Sequence, residues 1–392
     1  MQFRPGLFLL ALSLLAPAAT AAPISNIYFF GDSLSDTGNI GNLTGNIYPN
    51  SPYTPGHFSN GPVWTEYFAQ AMGLPNSAKA AGMSLGPGLF NIQVPGNGGT
   101  NYAIGGARND TTGSLDSYGI PTGVYWQMYY YLSKSNSTAD PTALYVLFGG
   151  GNDLRDASLL SPAARDAAAN VAAQYLVFTM YVLEQMGARN FLILNAPDIG
   201  NTPEARIVRN NAASATAATQ AYNAALGLYV GYFQSTLSRS TFHLLDTYSL
   251  FEDVYTDAST GGSTYGLTNA TTPCFAGFAG STGADCSKSV FADDIHPTTA
   301  VHHLLANAAY DLLNPPATGV LSTGIGTEAI PTPEPSAALL CSTGLGLLLW
   351  KRRGEPGRRA IDPQGKEQRA HCHPAFAQVS RQANRSITEV QH

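Results

Sequence analysis

The chain has 392 residues, with 40 glycines and only 12% charged side chains. That is too apolar and aromatic for a disordered protein and long enough for one large domain or two small ones. The formal charge of −6 divides unevenly: residues 351–392 carry nine Lys/Arg against four Asp/Glu, and residues 22–350 carry 10 basic against 22 acidic side chains. An acidic body excludes a nucleic-acid partner, whose phosphates require a basic face.

The first 21 residues read as a secretory signal: Arg4, an apolar core from Leu7 to Leu15, then Ala19-Thr20-Ala21 as a small-residue cleavage site. A wholly apolar run follows, Ile27-Tyr28-Phe29-Phe30, and it stops at Gly31-Asp32-Ser33-Leu34. A buried strand that delivers a serine hydroxyl to the turn at its carboxyl end is where open α/β sheets place their chemistry. Residues 40–125 are Gly/Pro/Asn-rich and aromatic, and are expected to be irregular loops facing a substrate or connecting elements over the surface. Within and beyond them, Tyr125, Trp126, Tyr129, Tyr130 and Tyr131 form an aromatic cluster that suits packing better than a lipid or sugar platform.

Further strands are expected at Ala143–Phe148, Phe191–Asn195 and Phe242–Leu245, after the first at Asn26–Phe30. Ser161-Pro162 looks like an N-cap with proline at the first helical position, opening a helix that runs to about Met186, where Gly187 closes it. Asn211–Ser235 and Thr299–Leu313 also read as helices. Alternating strands and helices imply a parallel sheet covered on both faces. Export permits disulfides, so Cys274 and Cys286 are expected to bridge a Gly/Ser/Thr-rich loop, while Cys341 and Cys372 lie outside this region. His302 and His303 fall on the helix after that loop and are expected to pack or face solvent. His371-Cys372-His373 lacks a partner pair at zinc spacing, so neither a metal nor a cofactor is expected.

Ser33, His296 and Asp293 supply a nucleophile, a base and an orienting carboxylate. A serine hydroxyl attacks poorly until an imidazole takes its proton, and the imidazole works best when a carboxylate fixes its tautomer. Two residues between Asp293 and His296 let both face one way on a single turn, with Asp294 the alternative. The tetrahedral intermediate of acyl transfer also needs hydrogen-bond donors, worth about 3–4 kcal/mol each. The backbone N–H groups of Ser33 and Gly106 and the side-chain amide of Asn152 are the candidates. Asp32 is expected to organise its turn by hydrogen bonds.

Gly31-Asp32-Ser33-Leu34, Gly105-Gly106, Gly151-Asn152-Asp153 and Asp293-x-x-His296 resemble, in order, the four signature blocks of the SGNH/GDSL hydrolase family. Pro197-Asp198-Ile199-Gly200-Asn201-Thr202-Pro203 resembles a segment of its larger lipase-like branch. The resemblance implies a flavodoxin-like three-layer α/β/α fold with a parallel sheet. It also implies metal-free ester hydrolysis with Ser33 as nucleophile, His296 as base, Asp293 as its orienter, and Ser33, Gly106 and Asn152 as the oxyanion hole. The absence of a Gly-x-Ser-x-Gly elbow counts against an ordinary α/β-hydrolase.

After Leu313 a Gly/Thr/Ser/Pro stretch reads as a linker. Pro333-Glu334-Pro335, the apolar run Ala337–Trp350 and Lys351-Arg352-Arg353 then resemble a PEP-CTERM sorting signal, although 39 residues follow Arg353. Fourteen apolar residues give about 21 Å of helix, short for a bilayer core of about 30 Å. The expected divisions are a signal peptide at 1–21, a hydrolase domain at 22–313, a linker at 314–332, a sorting segment at 333–353 and a basic tail at 354–392. The expected partners are an acyl-ester substrate, lipid or acylated glycan, and membrane sorting machinery for the C-terminal segment. The expected activity is that of an exported lipase or esterase. A polysaccharide O-deacetylase or acyltransferase on the same machinery, or a catalytically silent matrix-binding protein, is the alternative, and the loops at 40–125 and 255–290 would separate the enzymes.

Overall fold

The structure, a computed structural model, describes residues 23–85 and 92–315. The expected signal peptide, nearly all of the linker, the sorting segment and the basic tail lie outside the described residues. In chain order the elements are β1 (Ile27–Gly31), α1 (Asn39–Leu43), α2 (Trp64–Ala71), β2 (Met83–Leu85), β3 (Ile92–Val94), α3 (Val124–Lys134) and β4 (Leu144–Phe148). There follow α4 (Gly151–Ala157), α5 (Pro162–Gln185), β5 (Asn190–Leu194), α6 (Ala212–Thr236), β6 (Thr241–Leu245), α7 (Thr247–Ser259) and α8 (Thr299–Leu313). Each of the four expected strands is present.

Four strands pair in the order β1-β4-β5-β6, every neighbour parallel. Ile27 lies opposite Leu144, Leu144 opposite Asn190, and Asn190 opposite Thr241, so the strands start level and their carboxyl ends share one edge. Alternate side chains point to opposite faces. Phe30, Tyr145, Leu147, Phe191 and Ile193 enter one apolar core with α3, α5 and α6. Ile27, Phe29, Leu144, Val146 and Phe148 enter the other, against Trp64 and Phe68 of α2 and Leu305 of α8. Burial on both faces is why these strands read as unbroken apolar runs rather than as alternating ones. The result is the three-layer α/β/α architecture.

The open edge of β1 carries an irregular fifth run. Phe29 N–H donates to the Thr100 carbonyl, Tyr102 N–H to Phe29 and Ile104 N–H to Gly31, at 3.2, 2.8 and 3.1 Å. This pairing brings Gly105-Gly106 to the same edge of the sheet as Ser33.

α5 begins with Ser161 in extended conformation and Pro162 at its first turn, though the Ser161 hydroxyl makes no capping bond. It ends where Gly187 takes φ +118° and the Ala188 N–H turns back to the Leu183 carbonyl. Residues 40–125 are less irregular than their composition suggests. Glu66 accepts from the Val63 N–H at 2.9 Å and opens α2, whose Trp64 and Phe68 are fully buried edge-on to Phe29. Tertiary packing of two aromatics holds this eight-residue helix, which is too short to persist alone. The aromatic cluster of α3 is largely buried: Tyr125 stacks on Phe178, and the Tyr131 hydroxyl bonds that of Tyr145 at 2.8 Å. No helix among the described residues is long and apolar enough to cross a membrane.

Candidate active site

Ser33 sits two residues past the end of β1, 8% exposed. Its turn is built by two neighbouring carboxylates. Asp32 accepts from the Leu34 N–H at 3.0 Å, and its carbonyl takes the N–H groups of Ser35 and Asp36. Asp36, wholly buried, accepts from Gly38, Asn39, Ile40 and Gly105 N–H groups at 2.7–3.1 Å. One side chain therefore ties the serine turn to the Gly105-Gly106 turn. Burial pushes both Asp32 and Asp36 up to about 6 against these donors.

Asp293 and His296 share a tight loop just before α8, closed by a 2.8 Å bond from the Ala292 N–H to the His296 carbonyl. His296 Nε2 lies 2.8 Å from Ser33 Oγ, and its Nδ1 lies 2.5 Å from Asp293 Oδ2. The other carboxylate oxygen, Oδ1, accepts from the Ile295 and His296 N–H groups at 2.8 and 2.6 Å. Burial alone would raise the Asp293 carboxyl. The His296 ring and the Tyr53 hydroxyl hold it below the ordinary aspartate value. Asp294 is not in this chain of bonds; its carbonyl accepts from the Glu204 N–H instead.

Tyr53 was not legible as part of this group. Its hydroxyl donates to Asp293 Oδ2 at 2.5 Å, and its ring stands edge-on to Phe275 and Phe278, 5.4 and 5.9 Å away between centroids. Cys274 and Cys286 form a disulfide, with Cα atoms 5.0 Å apart, and the bridge packs in the same cluster. Phe58 lies over the His296 ring at 5.1 Å. Burial, then the Asp293 charge, raises the Tyr53 hydroxyl, so it stays protonated and donates.

Ser33, Gly106 and Asn152 line one cavity. Next to the Ser33 N–H, the Leu34 amide is taken by the Asp32 carboxylate. The same holds for Gly106: Gly105 donates to Asp36 and Ala107 to Ile104. Gly106 has φ +78°, and a Cβ there would strike Ser114. Asn152 follows Gly150, whose φ of +110° and contact with the Tyr222 ring leave no room for a side chain. The Asn152 Nδ2 gives one proton to the Ala107 carbonyl at 2.9 Å, leaving its second for a ligand. Its Oδ1 accepts from Arg155 at 3.2 Å, which fixes which end of the amide faces the site. Arg155 in turn makes a two-pronged pair with Glu204 at 2.8 and 2.7 Å. Sequence analysis singled out none of Arg155, Glu204 and Asp36; an Asp two residues before Gly38 is the one local turn signal that could have drawn notice to Asp36.

Two cavities meet at Ser33, Asn152 and His296. One is walled by Leu34, Phe148, Ile199, Ala205, Phe251 and Phe291, and the Pro197–Thr202 segment contributes to its wall. The other is polar, with Tyr48, Gly106, Arg108, Ser114, Asp116 and Ser117 around it. His302, fully buried on α8, lines neither, and His303 packs edge-on to Tyr67.

A serine, an imidazole and a carboxylate hydrogen-bonded in series at the carboxyl edge of a parallel α/β sheet define a class of protein. The chain belongs to the GDSL-like Lipase/Acylhydrolase family, whose match covers residues 27–309. It is similar to a thermolabile hemolysin of Vibrio parahaemolyticus, 28% identical over 310 residues, 74% of this chain and 64% of that protein. Esterase EstA of Pseudomonas aeruginosa is 30% identical over 329 residues, 77% of this chain and 48% of its own. Lipase 1 of Photorhabdus luminescens is 25% identical over 391 residues, 82% of this chain and 54% of its own. The chain thus spans about half to two-thirds of the length of these relatives.

Proposed function

We propose that this chain is a serine hydrolase of carboxylic esters, with Ser33 as nucleophile, His296 as general base and acid, and Asp293 holding the imidazole. The observation that carries this reading is the unbroken series Ser33–His296–Asp293 at 2.8 and 2.5 Å, opening into the cavities. Ser33 Oγ attacks the ester carbonyl as His296 Nε2 takes its proton, and Asp293 stabilises the imidazolium. The oxyanion meets the Ser33 and Gly106 N–H groups and the free proton of Asn152 Nδ2. The alcohol then leaves with the proton held by His296, giving an acyl-enzyme. Water, deprotonated by the same imidazole, cleaves it.

The apolar cavity favours an acyl chain longer than acetyl, and the polar one suits the alcohol side, so the lipase or esterase reading is preferred to O-deacetylation. The names of the relatives, a hemolysin, an esterase and a lipase, agree with that preference. We also read residues 1–21 as an export signal and Pro333–Arg353 as a segment for membrane sorting machinery. Hydrolysis of a nitrophenyl ester series, acetyl to long acyl, by wild type and Ser33→Ala tests the enzyme. Turnover should vanish in Ser33→Ala, and a fluorophosphonate probe should label wild type at Ser33 alone. Activity of Ser33→Ala within a few-fold of wild type would overturn the mechanism.

A further inference from the structure

Residues 105–109 form a turn in which every amide but one has an acceptor among the described residues. Gly105 N–H donates to Asp36 Oδ2 at 2.8 Å, Ala107 to the Ile104 carbonyl at 3.1 Å, Arg108 to the Thr112 carbonyl at 3.0 Å and Asn109 to Asp153 Oδ2 at 3.1 Å. The exception is Gly106, which lines the polar cavity with Ser33 and Asn152. Two of the four acceptors are carboxylates, and each comes from a segment that carries another of the three donors. Asp36 belongs to the Ser33 turn: its Oδ1 accepts from Gly38 and Asn39 N–H at 2.9 and 2.7 Å, and its Oδ2 from Ile40 at 3.1 Å as well as from Gly105. Asp153 belongs to α4 and follows Asn152, whose Nδ2 bonds the Ala107 carbonyl at 2.9 Å. The turn is thus gripped from both sides, by the nucleophile turn through Asp36 and by α4 through Asp153. Neither carboxylate lines either cavity, so neither is placed to touch a substrate there.

We infer that Asp36 and Asp153 are positioning residues of the oxyanion hole: together they fix the Gly106 N–H relative to the Ser33 N–H and the Asn152 amide. This assignment rests on the reading of Ser33 as an esterase nucleophile and of those three groups as donors to its oxyanion. Such donors act on charge that appears only in the transition state, and a displacement of about 1 Å can cost about a hundredfold in rate. Gly106, at φ +78°, has no side chain of its own to resist that displacement. Two carboxylates on two different segments supply the resistance, because hydrogen bonds to a charged acceptor are stronger than those to a neutral one. Removal from water raises the Asp36 carboxyl to about 6 and the Asp153 carboxyl to about 7, so both are charged above about pH 8.

The test uses the full chain at about pH 8.5 on dissolved nitrophenyl butyrate, with two inhibitors. One is a trifluoromethyl ketone: Ser33 Oγ adds to its carbonyl carbon, the serine proton passes to His296, and the former carbonyl oxygen becomes the oxyanion. The other is the ether analogue of the ester, which has no carbonyl and forms no oxyanion. Asp153→Ala should lower kcat by about 10- to 100-fold and weaken the ketone by a similar factor, with KM and ether binding within about twofold of wild type. Asp153→Asn keeps an oxygen that can accept from the Asn109 N–H and should stay within about threefold. Asp36→Asn loses two of its four acceptor contacts whichever way the amide turns, and should fall at least as far as Asp153→Ala. Phe242→Leu, a core change on edge strand β6, should lower Tm and leave kcat unchanged, which separates lost stability from lost positioning. A kcat within about threefold of wild type in folded Asp153→Ala or folded Asp36→Asn would overturn the inference. Equal weakening of ketone and ether would overturn it too, by making the carboxylates general struts of the fold. If Asp36→Asn does not fold, the two Asp153 variants decide. Failure of wild type on every ester would remove the esterase reading itself, whereas Ser33-dependent turnover with unimpaired variants would remove only the positioning roles.

Discussion

The Tyr53 hydroxyl and the His296 ring both bond Asp293 Oδ2, each at 2.5 Å, across a sequence separation of 240 residues between Tyr53 and Asp293. The carboxylate has four donors in all and is 2% exposed. A buried charge so fully bonded is rigid, and it stays ionised below the ordinary aspartate range.

Tyr53→Phe should therefore move the acid limb of the kcat/KM profile to higher pH. Removing one donor concentrates negative charge on the oxygen that faces His296 and so raises the basicity of the pair. Loss of a hydrogen bond to a charged group should also lower stability by about 1.5–3 kcal/mol. A lower Tm with an unmoved pH profile would reduce Tyr53 to a packing residue.

On the proposed role of Asn152 as an oxyanion donor, Asn152→Ala should cut kcat by about 10²–10³-fold with little change in KM, because such a donor acts on charge that develops only in the transition state. Arg155 donates to the Asn152 amide oxygen at 3.2 Å and is expected to position it. Arg155→Ala should lower kcat more than KM and weaken a boronate transition-state analogue more than a ground-state ester analogue. Parallel weakening of both ligands would show that Arg155 and Glu204 merely hold the local fold.

Replacing Cys274 and Cys286 by serine opens a loop whose ends are 12 residues apart. Loop-closure entropy puts the loss near 3 kcal/mol. Because Phe275 and Phe278 brace Tyr53, activity should fall before the protein unfolds as it is warmed. Superimposable thermal curves for activity and for circular dichroism would argue against that coupling.

Stability should carry a titration from His302. Burial, with the nearby His296 and His57, lowers this imidazole to about 3, and both its ring nitrogens lack a hydrogen-bond partner in the protein. Between that value and the ordinary 6.5 the folded state binds fewer protons than the unfolded one, so stability falls as pH drops below about 6.5, by up to about 1.4 kcal/mol per pH unit. Asp32 and Asp36, raised to about 6, act in the opposite sense: the folded state binds more protons there, adding stability as pH falls toward 4. Both proteins in a comparison of His302→Leu with wild type share the aspartates. The Tm advantage of the variant should grow from pH 7 to pH 5, and a constant difference would exclude the His302 titration.

The features readable from residue order are local ones. Apolar runs announced the four strands of the parallel sheet, because burial on its faces favours such runs, whereas the short antiparallel pair β2 and β3 carried no such mark. Ser161-Pro162 and Gly187 marked the ends of α5 through backbone geometry. Ser33, Gly106, Asn152, Asp293 and His296 could be put forward as a site from the sequence because each follows a strand or sits in a Gly/Asp-rich turn; the structure brings Ser33, His296 and Asp293 into one chain of hydrogen bonds. The remaining features arise where distant segments pack together. Tyr53, Arg155 and Glu204 are ordinary residues in their own segments, and no period or spacing links a tyrosine to a carboxylate 240 positions away. The helix of Trp64 and Phe68 was hidden for the same reason, being held by contacts with β1 rather than by its own propensity. The cavities belong to no segment at all: they exist only where several distant parts of the chain meet beside Ser33 and His296.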